Sequence, residues 1–265
     1  MTGAWNDAMQ FPQQTIQQIV DSEREMVLTA SQRFGKYYDT ALECVIFATQ
    51  FLKSIDPDRW VFAKFQALAK KHLTLALFST VRLHKEQALM DLRQALEAGA
   101  SAAFAIANPD HKHFVDTDEF GILDASQKLT SKRYKWLDAN YPNASKAIQE
   151  LKNQINASNA HANLISAYGR SEANEQEGWF SEPFFDVEDD YFIKADLWRI
   201  ANSALTFLHV FYEVNEGRNV IKFLDNFWPI IQQLGQRNEA LHQEMMATDR
   251  FQKAMAVESA RTGRG

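Results

Sequence analysis

An all-α bundle is what this sequence predicts, on three observations. Glycine and proline are scarce, 10 and 6 in 265 residues, which favours long helices over turn-rich β structure. Apolar residues recur at helical spacing over most of the chain. Prolines fall where helices begin or have just ended, at Pro57, Pro109 and Pro142, as a fixed φ and a missing N–H require. The expected architecture is one domain over residues 1–257, a mostly antiparallel bundle of about seven or eight helices. A small irregular or hairpin flap is expected near 172–190 and a disordered tail at 258–265.

The first helical region covers 13–55 and is expected to break near Gly35. The second covers 57–80, where Val61, Phe65, Leu68, His72, Leu75 and Phe78 share one side. A short turn over 82–85 leads to the third, so these two helices are expected to be antiparallel neighbours. The third reads QALMDLRQALEAGASAAFAIA from Gln87 to Ala107. From Ala98 onward it is apolar nearly all round, the pattern of a central helix packed on several sides. Further helices are expected over 122–139 and 143–168, the latter stopping at Gly169. Residues 172–190 lose the helical period, and aromatic pairs around Ser181 and Pro183 suit a hairpin or flap. Helix returns over 190–215. The last is expected over 219–257, kinked at Pro229 or restarted there with Asn226 as its cap.

Composition excludes several classes. A net charge of −6 and a pI near 5.7 give no global attraction to nucleic acid or anionic membrane. No uncharged apolar stretch approaches the ~20 residues of a membrane span, and the N-terminal MTGAWNDAMQFPQQ has no signal-peptide pattern. Cys44 is the single cysteine, so no internal disulfide forms. A reducing, cytoplasmic setting is expected, with the thiol inert inside the apolar run 41–52. There is no Gly-rich phosphate loop, GxSxG elbow, HExxH or paired CxxC. No cofactor is expected.

Three clusters carry chemistry. Arg93 and Glu97, four residues apart, share one flank of the third helix. They form either a structural ion pair or part of a site. The segment NQINASNAHAN places four asparagines in eleven residues, 153–163, which is poor helix chemistry. Its amides suit hydrogen bonds across the bundle. Asn156, Asn159 and Asn163 fall on one flank, and Ser158 and His161 lie on another. His161 could act as an acid or base near neutral pH. Asp110, His111 and His113, with Asp116, Asp118 and Glu119, form the third. They could suit a divalent cation, but helix and turn capping account for the acids, and no metal is expected.

The run from Phe65 to Gly169, with Leu92, Arg93 and Glu97 in the third helix and Ser158 and His161 beyond it, resembles a family of uncharacterised all-helical bacterial proteins related to HEPN-type bundles. That resemblance implies a homodimer acting through partner or ligand binding in a defence or stress context. HEPN proteins include metal-independent RNases that pair two Arg-x4–6-His motifs across a dimer. The corresponding spacing here is RNEALH, Arg237 to His242, which lies outside the resembling segment. Two further readings therefore stand beside ligand or partner binding. One is a HEPN-type RNase using Arg237 and His242, for which the net charge gives RNA no general attraction. The other is a small-molecule pocket lined by Arg93, Glu97, Ser158 and His161.

Overall fold

The computed structural model describes residues 14–117, 120, 123–124, 127–157, 172–174, 179–181, 184–187 and 189–262. Ten α-helices lie among them. Near the N-terminus come α1 (Ile16–Leu28), α2 (Ala30–Phe34) and α3 (Lys36–Gln50). A capping box starts α1: the Gln18 N–H donates to Thr15 Oγ1 at 3.2 Å, and the Thr15 N–H to Gln18 Oε1 at 2.8 Å. Gly35, at φ +53°, separates α2 from α3, because left-handed backbone there suits glycine.

β1 (Leu52–Ile55) follows, where continued helix was expected. It pairs antiparallel with β6 (Ile221–Phe223), which lies inside the expected 219–257 helix. The Asn215 side chain fixes this ladder, donating to the Ile221 carbonyl and accepting from its N–H, both at 2.9 Å. Phe51 is fully buried against Phe211, Phe223 and Phe227.

α4 (Trp60–Val81) and α5 (Lys85–Ala107) form the expected antiparallel hairpin. Short strands β2 (Asp116–Thr117) and β3 (Leu123–Asp124) pair before α6 (Gln127–Asn140), so that helix begins later than expected. α7 (Pro142–Ala157) follows, its remaining expected length lying outside the described residues. The expected hairpin is present: β4 (Glu172–Asn174) pairs antiparallel with β5 (Trp179–Ser181).

α8 (Asp190–Asn215) matches its expected span, and α9 (Phe227–Met246) begins directly after Asn226. Pro229 thus sits in a first turn, where its missing N–H costs nothing. The helix expected to run on to 257 ends at Met246, and Thr248 Oγ1 accepts the Phe251 N–H at 3.3 Å at the start of the next. That helix, α10 (Asp249–Thr262), covers the rest of the expected span and runs on into 258–262, at the start of the tail expected to be disordered.

Buried apolar residues from Ala30 to Met245 form one contiguous cluster. Two helices organise it. α5 packs against α4, α6, α7 and α8, and α8 packs against α3, α4, α5, α7 and α9. Every residue from Ala98 to Ile106 is buried, as the all-round apolar pattern predicted. At Gly99 the two central helices nearly touch: an added Cβ would lie 2.6 and 2.8 Å from Phe207 ring carbons. No helix among the described residues is long and apolar enough to cross a membrane.

Candidate functional site

The N-terminal half of α5 has a different character, and its first turn is held from a distance. The α4–α5 turn places Leu83 at φ +61°, a left-handed conformation costing a leucine about 1 kcal/mol. His84 gives α5 no side-chain cap. Asp186, just before α8, supplies both constraints. Its N–H donates to the Leu83 carbonyl at 2.9 Å, and its Oδ2 accepts the Lys85 N–H at 2.6 Å. A carboxylate here satisfies an orphan donor and meets the positive end of the helix dipole.

Two histidines flank this helix end, each bound to a carboxylate. His84 Nε2 lies 2.8 Å from Glu23 Oε1, and Arg82 lies 3.7 Å from the other Glu23 oxygen. The His84 ring packs against both Phe184 and Phe185, at 5.2 and 5.6 Å. Further along both helices, His72 Nδ1 lies 2.8 Å from Asp91 Oδ1, with side chains only 19% and 12% exposed. A carboxylate oxygen of Asp91 accepts here, so Nδ1 carries the hydrogen of this bond, and in the neutral tautomer the lone pair is on Nε2. Nε2 makes no hydrogen bond among the described residues. A carboxylate that fixes a histidine tautomer in this way turns the far nitrogen into an acceptor or base.

These groups line a groove of about 560 Å³ that includes His72, His84, Asp91, Phe184 and Asp186. A second hollow of about 270 Å³ adjoins it, lined by Leu89, Arg93, Glu97 and Ile155. Glu86, Met90 and Gln94 border both, so one face of α5 is their common ridge. Among the described residues no serine, threonine, cysteine or lysine lines either hollow. The described lining can exchange a proton or accept a hydrogen bond.

Arg93 and Glu97 belong to this face. Arg93 Nε donates to Glu97 at 3.3 Å, and its Nη1 donates to Asn156 Oδ1 of α7 at 3.0 Å. Lys152 of α7 lies 3.6 Å from Glu97. The third helix and the asparagine-rich helix thus do meet, through Asn156. Ser158 and His161 lie outside the described residues, as do Asn159 and Asn163.

The other sequence candidates are placed elsewhere. Arg237 donates to both oxygens of Glu43 and, at 3.2 Å, to Thr40 Oγ1, all on α3. His242 stacks on Trp198 of α8, ring centroids 4.4 Å apart. The two side chains of the RNEALH motif therefore engage different helices. Asp110 accepts from the Lys112 N–H, His111 stacks on Trp60, and His113 meets Phe104 edge-on. Among the described residues no three His, Cys, Asp or Glu side chains converge as metal ligands, and Asp118 and Glu119 lie outside those residues. Cys44 is fully buried, and desolvation pushes its thiol up to about 12, the inert state expected of it.

Sequence reasoning missed His72, Asp91, His84 and Glu23. One signal was present: Asp91 occupies the buried column of Ala88, Leu92 and Ala95, where a lone carboxylate needs a partner. The fold and site define an all-α bundle with a carboxylate-oriented histidine in an open groove. No protein-family profile, curated protein or solved structure matches this chain.

Proposed function

We propose that the chain is a ligand-binding helical protein whose site is the two-lobed groove along α5. The observation that carries this reading is the His72–Asp91 pair in the wall of a hollow of small-molecule size, with Nε2 making no hydrogen bond among the described residues. The ligand class is a small molecule with a hydroxyl or amide donor for Nε2 and an apolar part for Met90 and Phe184, which are 66% and 50% exposed. Arg93 and Glu97 line the second lobe, with Arg93 held by Asn156 of α7, and in this reading they face the ligand.

A screen of small neutral alcohols and primary amides against histidine-labelled protein by NMR tests this directly. Saturable shifts of the His72 and His84 ring signals are expected, with those of His84 lost in His72→Phe and retained in part in His72→Gln. If no compound moves the His72 resonances while other surfaces respond, the groove is not the site.

A further inference from the structure

A second groove lies on the far side of α8, independent of the one along α5. Trp198, Asn202, Thr206 and His209 of α8 line it between α7 and α9, with a volume of about 320 Å³. Its walls are held open by small residues, Ala144 and Ala147 on α7 and Gly235 on α9. A Cβ built on Gly235 meets nothing within 4 Å, so the glycine is not there to permit close helix packing.

Three observations define what the groove lacks. First, Asn238 lines it while only 4% exposed, and its Oδ1 is buried with no hydrogen-bond partner. The Asn238 main-chain carbonyl is already used, accepting from Trp198 Nε1 at 3.0 Å. A buried acceptor without a donor is costly and rare. Second, the Thr206 hydroxyl spends its hydrogen on the Asn202 carbonyl at 2.8 Å, leaving lone pairs to offer. Third, Glu213 and Glu239 line the groove and, among the described residues, no lysine or arginine does. Desolvation lowers the His209 pKa, so that ring adds no positive charge at pH 7. The surroundings are rich in acceptors and negative charge, and they want donors and a cation.

We propose that this groove binds an organic amine of polyamine type, with an N–H donating to Asn238 Oδ1 and ammonium groups facing Glu213 and Glu239. A donor there satisfies the stranded oxygen, and an alkyl chain fits between the alanine and glycine walls. Spermidine is the probe, with butane-1,4-diol as its uncharged counterpart, titrated by calorimetry and by backbone NMR at low salt. Saturable spermidine binding with shifts centred on α7, α8 and α9, and none from the diol, is the expected result. The Glu213→Gln/Glu239→Gln double variant should weaken binding about fivefold to tenfold, since each exposed ion pair adds only a modest increment. Gly235→Leu keeps the net charge but fills the groove, and it should abolish binding while keeping thermal stability. Spermidine affinity unchanged in Gly235→Leu, or shifts scattered over all acidic surfaces, would show attraction to an acidic protein and overturn the proposal. So would saturable binding of the diol.

Discussion

The two halves of α5 form one continuous helix, yet they differ in composition and do opposite things. From Ala98 to Ile106 nothing is exposed, and Gly99 lets the helix come close to Phe207 of α8. From Lys85 to Glu97 the helix alternates buried alanines and leucines with charged and amide groups that border two hollows. The difference lies both in the residues of each half and in what faces them. Where α8 covers it tightly, small side chains are packing. Where α4, α7 and the segment before α8 only flank it, polar side chains are left to bind one another and solvent. One helix thus fixes a site rigidly by burying its other end.

If that division is right, substitutions in the two halves should separate cleanly in size. Phe207→Ala opens a cavity at the central crossing and should cost about 3–5 kcal/mol in denaturant unfolding. Gly99→Ala overpacks the same crossing and should cost about 1–3 kcal/mol. Adding Phe207→Leu to it should restore part of that loss, a coupling that chemical denaturation of the double variant measures. In the polar half, Asp186→Ala removes the cap of α5 and should cost about 1 kcal/mol, with exchange of the Lys85 amide rising. Arg93→Ala should cost only a few tenths of a kcal/mol, because Arg93 and Glu97 are 42% and 38% exposed. A loss of several kcal/mol from Arg93→Ala would erase the distinction between the halves.

Much of the fold was legible because it is local. The all-round apolar pattern from Ala98, the prolines at helix starts and the short α4–α5 turn each act within a few residues. β1 and β6 escaped because LKSI and IKF become strands only by meeting each other across most of the chain. The extra helix breaks at Thr29 and Thr248 depend on single-residue geometry that periodicity does not register. At the site, Arg93, Glu97 and Asn156 were visible as anomalies in their own helices. His72 was not, since it sat in an apolar column where a ring of its size passes for core. Its meaning came only with Asp91, nineteen residues away on the neighbouring helix.

The clamp made by Asp186 has a consequence for the order in which the protein assembles. The α4–α5 hairpin joins neighbours in sequence, and such contacts form early. The residue that completes the first turn of α5 arrives from 101 positions downstream. A refolding chain should therefore hold a protected centre of α5 while its first turn is still open. Pulse-labelled hydrogen exchange should show the Ala95 amide protected before that of Lys85. The groove is then a late product of folding, and a nascent chain ending before residue 186 would carry the helix without the site.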